Sequence, residues 1–298
     1  MLPSTFNGLY SSYAINKANK IGFDYITEFK QRTSDAFVNI IEHALGDDTK
    51  AVTGSDGAYM LMVNYNYKKD ALKINAYDCY AKDFINSVYL DAVVDTTLEG
   101  ITFHMAAQYI NQRSIGNAED NLAKAGSITG AKKVRSNAFG AIVSGTLDYG
   151  TLTLAYSKVL KDDKYHDSLV LPWDGTPLFT NMITSNDLFQ SIYGNALKAD
   201  SIYIGGSQAI KIAYKQRFDG MGLKGVSLTA AAMRTSNEKF TKGAQYDYNA
   251  VLAYKYDKGL SFALKGIWVE ENAAADKLGN VTQLKLLSQY RVIANYKF

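Results

Sequence analysis

Over its last fifteen residues the chain alternates between a mostly apolar and a mostly polar set of positions. The even positions read Leu284, Leu286, Ser288, Tyr290, Val292, Ala294, Tyr296 and Phe298, and the odd ones Lys285, Leu287, Gln289, Arg291, Ile293, Asn295 and Lys297. A side-chain period of two is the geometry of a strand, and this run is much longer than the usual globular strand of about 5–6 residues. The same parity recurs upstream. Tyr246, Tyr248, Ala250, Leu252, Tyr254 and Tyr256 oppose Asp247, Asn249, Val251 and Lys255, while Leu152, Leu154 and Tyr156 oppose Thr151, Thr153 and Ser157. The pattern predicts about thirteen strands, near 8–15, 20–31, 57–68, 72–82, 85–96, 101–112, 135–148, 151–160, 202–218, 226–236, 245–257, 259–270 and 283–298. Pro3, Pro172 and Pro177, the three prolines of the chain, fall outside these runs, where a missing N–H costs no ladder bond. Asp35–Leu45 is the one stretch that reads as a short helix, in a loop.

Connection lengths carry a second regularity. Tight turns alternate with long polar segments at about 32–56, 113–134 and 161–201, the short 83–84 link being the exception on the long-loop side. A sandwich has no reason to gather its long loops at one end, whereas a membrane barrel has short periplasmic turns and long outer loops. The apolar face is rich in the 22 tyrosines, which suit a lipid–water boundary, and the polar face carries Lys, Arg, Asp and Asn. These features predict an all-β fold, a transmembrane antiparallel β-barrel forming one domain over 1–298, in an outer membrane. A non-channel barrel (an adhesin or an outer-membrane hydrolase using its outer loops) and a soluble β-sandwich or lectin-like binder are the alternatives. One cysteine excludes a disulfide scaffold and a Cys-based zinc site. A formal charge of +3, from 32 basic and 29 acidic residues, is too balanced for a nucleic-acid binder. Apolar runs such as Ala58–Val63 fall far short of a membrane helix, and Met1–Phe6 has neither the basic start nor the apolar stretch of a signal peptide.

Several segments resemble the OprD-type substrate-specific outer-membrane porins. Leu2-Pro3-Ser4-Thr5-Phe6-Asn7-Gly8 is similar to that family's Leu-Pro-x-x-Phe-Glu-Gly segment, with Asn7 in place of the Glu. Gly145–Lys164 resembles its hairpin leading into a long outer loop, and Ile210–Asn237, with Gly220-Met221-Gly222-Leu223-Lys224-Gly225, its strand–glycine turn–strand unit. Terminal Tyr296-Lys297-Phe298 resembles the signal read by outer-membrane assembly machinery, with Phe298 as its key residue. The resemblance implies an eighteen-stranded barrel, so that this chain is expected to lack about five N-terminal strands and residues 1–7 to be the tail of the inward-folded constriction loop. It further implies a passive, substrate-selective diffusion channel, monomeric or homotrimeric, for small solutes such as carboxylate-bearing amino acids, peptides or organic acids. No cofactor, metal or catalytic residue is needed for such transport, and the expected partners are membrane lipid, solutes and the assembly machinery.

Candidate functional residues follow from the polar face. Lys211, Lys215, Arg217, Lys255, Lys265, Lys285 and Arg291 are expected to line the pore as a basic ladder, with Lys265 and Arg291 mid-strand on adjacent strands. A row of cations in a narrow pore focuses an attractive field on anionic groups, and the family resemblance implies that such a ladder guides a substrate carboxylate. Asp24, Glu28, Asp91 and Asp95 are the acidic pore-lining candidates on the early strands. Other motifs carry less. Gly220–Gly225 spells G-x-G-x-x-G, but Val226–Ala230 reads as a strand where a dinucleotide site needs a helix. His43 and His166 fall in loops, and His104 reads as pore-lining rather than part of a Ser–His–acid set. Asp47, Asp48, Asp56, Asp162 and Asp163 lack the spacing of a calcium loop. Cys79 is expected as an isolated thiol on the polar face near an outer end.

Overall fold

The computed structural model describes residues 5–30, 34–41, 59–125, 133–170, 178–183, 202–238, 244–257, 259–272 and 283–296. Its strands are β1 (Thr5–Ala14), β2 (Asn19–Lys30), β3 (Val38–Asn39), β4 (Met60–Lys69), β5 (Leu72–Ala81), β6 (Ile85–Leu98) and β7 (Ile101–Ser114). After the helix α1 (Ala118–Ala125) come β8 (Arg135–Leu147), β9 (Gly150–Val159), β10 (Ser207–Arg217), β11 (Val226–Asn237), β12 (Gln245–Lys255), β13 (Leu260–Asn272) and β14 (Gln283–Tyr296). They form one antiparallel sheet in sequence order from β1 to β14, with only β3 off the path, paired to β2. Thirteen strands therefore run side by side, and since thirteen is odd, β1 and β14 at the two ends of the path point the same way.

Alternation builds the two faces as expected. Ile210, Ile212 and Tyr214 on β10, Leu152 and Leu154 on β9, and Leu264, Tyr290 and Val292 on β13 and β14 are all exposed. Such a continuous apolar surface on a folded chain marks a lipid-facing exterior. The opposite face buries Asp24, Asn64, Gln108, Gln112, Ser157, Asp247 and Asn249, and loops cover part of it.

Two clusters pin those loops at the long-loop end. Phe29, Ile40, Ile41, Met60, Ala81, Phe84, Ile85, Ala118, Val134 and Val170 form one; Ile110, Ala138, Val159, Leu169, Leu178, Met182, Ile202, Tyr203, Ala209 and Met233 form the other. The 83–84 link is short because Phe84 is spent in the first cluster, with Asp83 accepting from the Asn117 N–H at 2.9 Å. At the opposite end tight turns place acidic residues in the left-handed region: Asp70 (φ 51°), Glu99 (φ 50°, followed by Gly100 at 80°) and Asp148 (φ 49°). This suits two-residue hairpin loops. Asp219–Met221 is a single 3-10 turn closed by Gly222 at φ 82°, and β11 follows it, so the glycine-rich motif is a hairpin connection.

The structure departs from expectation in four places. β1 starts at Thr5, pairing Thr5, Phe6 and Asn7 with Lys30, Phe29 and Glu28, so these residues of the expected loop tail are strand. Within the stretch expected as a short helix, Val38–Asn39 form a strand and Ile40 and Ile41 are helical, while 42–58 lie outside the described residues. α1 forms in the 113–134 connection, with Glu119 and Asp120 in its first turn, where the unsatisfied N–H groups favour negative charge. β10 begins at Ser207, not near 202, because Ile202 and Tyr203 turn inward into the second cluster.

Candidate functional site

The expected basic residues divide into three groups. Lys215, Lys265 and Arg291 fall on one line of Cα partners across the inner face. From Arg291 it passes to Lys265, Val251, Thr229, Lys215, Thr151, Thr146, Thr102 and Thr97. At about 4.8 Å between neighbouring strands, Lys215 and Lys265 lie about 14 Å apart along the wall. The threonines are mutually bonded, Thr146 to Thr151 at 3.0 Å and Thr97 to Thr102 at 3.3 Å. Ser144 and Thr153 extend the hydroxyls into the next row at 2.8 Å. A cation-and-hydroxyl track of this kind offers an anion successive charge and hydrogen-bond donors. Lys265 and Arg291 are directly opposed, a like-charge cross-strand pair that destabilises a sheet, and Arg291 Nη2 donates to Gln289 Oε1 at 2.8 Å.

Lys211 has a different job. Its Nζ donates to the Asn181 carbonyl at 2.8 Å, so it holds a loop. That loop lies between β9 and β10, and its residues 168–170 and 178–183 fold over the inner face. The Gln112 amide brackets Val170, donating to its carbonyl at 3.0 Å and accepting from its N–H at 2.8 Å. Phe179 N–H donates to Gln108 at 2.9 Å and Ile183 N–H to Asn249 at 2.8 Å, while Ser157 bonds Thr180 and Ser136 donates to the Ser168 carbonyl. Tyr203 hydroxyl donates to Asn181, and burial holds its phenol above the usual range despite that bond. Of the loop expected to reach outward at 161–201, residues 168–170 and 178–183 thus turn onto the inner face instead.

Arg217 and Lys255 sit at the short-turn rim. Arg217 donates to the Asp148 carbonyl at 3.1 Å and lies 5.7 Å over the Tyr149 ring, bracing that turn. Lys255 is exposed beside Gly225, to whose carbonyl its N–H donates at 2.9 Å. Lys285 pairs with Glu270 beyond the register shift at Val269/Glu270, and its side chain lies outside the described residues, as does Phe298.

Among the acids, Asp24, Asp91 and Asp95 lie on the inner face and Glu28 does not. An irregularity at Asn7/Gly8 shifts the register, and past such a bulge every side chain changes face. Glu28 therefore pairs with Asn7, whose Nδ2 donates to it at 2.6 Å, while neighbouring Phe29 takes the buried side. Asp91 accepts from Asn75 at 2.7 Å. Asp95 is bound by Lys73 at 2.6 Å and by His104 Nδ1 at 2.7 Å, so its charge is largely spent within the wall. Lys73 was not among the expected residues; its inward parity was readable, its pairing with Asp95, three residues from the end of β6, was not.

The remaining candidates are local. Asp162 accepts from the Lys164 N–H at 2.9 Å and Asp163 pairs with Lys161 at 3.2 Å. His43, Asp47, Asp48 and Asp56 lie outside the described residues. Among the described residues no cluster of three or more His, Cys, Asp or Glu side chains is arranged to hold a metal. Cys79 faces inward beside the first cluster. Just past the end of β11, Glu238 pairs with Lys158 of β9 at 2.5 Å, and that bond holds the Glu238 carboxyl below the usual range.

Comparison with known proteins fits this geometry. The sequence model of the family described as outer membrane porin, OprD family, matches residues 1–298. Comparison with curated proteins returned no match. Among solved structures, Pseudomonas aeruginosa OccK2 (OpdF) aligns with TM-score 0.72 at 16% identity, covering 98% of this chain and 70% of its own. P. aeruginosa OpdK with vanillate aligns with TM-score 0.71 at 14% identity, covering 99% and 68%. OccK2 in complex with glucuronate gives 0.65 at 16%, covering 96% and 73%.

Proposed function

We propose that this chain, which belongs to the OprD family of outer-membrane porins, selects small carboxylate-bearing solutes by means of the track through Lys215, Lys265 and Arg291. The observation that carries the proposal is the direct opposition of Lys265 and Arg291 on the inner face. Two cations in register oppose sheet formation, and an anion passing between them relieves that repulsion. The inward loop held by Lys211, Gln108 and Asn249 confines solutes near the wall, and the threonine hydroxyls give them donors and acceptors along it. Vanillate and glucuronate, bound to the OpdK and OccK2 crystal structures, are both carboxylates, which supports the same class here. Solutes move down their gradient, so the Asp95–His104 pair is read as pore wall, not catalysis.

Uptake into liposomes tests this. The protein should admit glucuronate several-fold faster than glucose at low salt, and Lys265→Gln/Arg291→Gln should level the two. Equal wild-type rates for acid and neutral sugar would refute the selectivity.

A further inference from the structure

The lipid-facing side of β7 and β8 carries an aromatic boundary and, beyond it, charge. Tyr109 and Phe139 are exposed on this side; the Tyr109 hydroxyl donates to Asn137 at 2.9 Å and Phe139 packs 6.5 Å from Tyr156. Rings of this kind mark the membrane–water interface. Four residues further toward the long-loop end, on the same faces of the same strands, stand Arg113 and Arg135, which are Cα partners. A rise of about 3.3 Å per residue on strands tilted by roughly 40° lifts them about 10 Å above the rings. That height lies past the hydrocarbon and within the headgroup layer.

The surroundings form a site. Asn111, Arg113, Ser114, Lys133, Val134, Arg135 and Tyr165 line a cavity of about 340 Å³. Its floor is fixed by backbone: Ser114 N–H donates to the Val134 carbonyl at 2.9 Å, Val134 N–H to Ser114 Oγ at 2.8 Å, and Arg135 N–H to the His166 carbonyl at 2.9 Å. The Arg135 guanidinium lies 5.7 Å over the Tyr165 ring, which aims it. Lys133 is already engaged by Glu119 at 3.3 Å. Arg113 and Arg135 have no carboxylate within 4.0 Å among the described residues, and Asp78, two strands away on the same side, is held by Asn86 at 2.6 Å. Two opposed arginines without an acid repel each other, yet their planar forks match phosphate oxygens bidentately.

We propose that this cavity binds a phosphate group of a phosphorylated glycolipid in the outer leaflet, clamped between Arg113 and Arg135. Basic pockets at headgroup height on a membrane protein take anionic headgroups in this way. The inference rests on the membrane placement of the sheet and not on solute preference.

The test uses protein purified from outer membranes in mild detergent, with native mass spectrometry as the readout. Diphosphorylated lipid A, its dephosphorylated counterpart and inorganic phosphate are the probes. Wild type should retain the diphosphorylated lipid, and Arg113→Ala/Arg135→Ala, checked for folding by heat-modifiable migration, should bind it about tenfold more weakly or less. Equal retention by the folded variant overturns the proposal. Equal wild-type binding of the dephosphorylated lipid overturns it too, and needs no variant. Displacement of the lipid by millimolar inorganic phosphate would assign the site to a soluble phosphoanion and remove the lipid. Ion selectivity is measured separately, so the pore reading and this one fail by different results.

Discussion

Neutralising the opposed cations should change ion selectivity by an amount the geometry sets. Lys265 and Arg291 face each other across β13 and β14 on the inner side. A permeant ion about 8 Å from each feels about 0.5 kcal/mol per charge in a water-like dielectric, cut to about 0.2 kcal/mol by screening at 0.1 M salt. Removing one charge raises the energy of an anion and lowers that of a cation by this amount. The anion-to-cation permeability ratio should therefore fall about twofold for Lys265→Gln or Arg291→Gln at 0.1 M, and about fourfold for the double variant. In 1 M salt the Debye length is about 3 Å and the effect should nearly vanish. The assay is the reversal potential across a planar bilayer under a shallow KCl gradient, repeated at several mean concentrations. An unchanged ratio at low salt, or a change that does not shrink as salt rises, would refute the field argument.

Gln112→Ala removes both bonds that bracket Val170, leaving a buried N–H and carbonyl at a cost of about 1–3 kcal/mol. The inward loop should undock at least about fivefold more often, seen as larger or noisier single-channel currents; unchanged currents would detach the loop from the constriction. Gly225→Ala builds a Cβ 2.3 Å from the Lys255 carbonyl at a residue with φ +76°, so the turn should lose about 1–3 kcal/mol and the urea midpoint should drop. Glu238 has a depressed carboxyl, so its stabilising bond to Lys158 is present above the ordinary carboxylate range and is lost as pH falls through the lowered value. The unfolding-temperature gap between wild type and Glu238→Gln should accordingly be open at neutral pH and close in acid.

Period two made the strands legible because each residue's face depends only on its own position. That sufficed for β14, where Leu287 through Tyr296 set both faces, and for Lys265 opposite Arg291. Periodicity fails where the backbone slips. The irregularity at Asn7/Gly8 moved Glu28 to the other face, and no local residue signals it. It also fails where a partner is distant in sequence. Lys211 reads as one more pore cation until Asn181 is seen to occupy it, and Asp95 reads as a free acid until Lys73 and His104 close on it. Arg113 and Arg135 were passed over for the opposite reason: they lie on the apolar parity, where a charge near a strand end looks like an ordinary rim residue.

The central claim is that one face of the sheet meets a water-filled conduction path and the other meets lipid. Adjacent residues on β10 test it most directly, Lys215 on the track and Tyr214 on the exposed apolar side. Each is replaced by cysteine in a Cys79→Ser background, and single-channel current is followed while a negatively charged thiol reagent is added. The account predicts a stepwise change in current for Lys215→Cys and none for Tyr214→Cys. The reverse pattern, or an equal response at both positions, would contradict it.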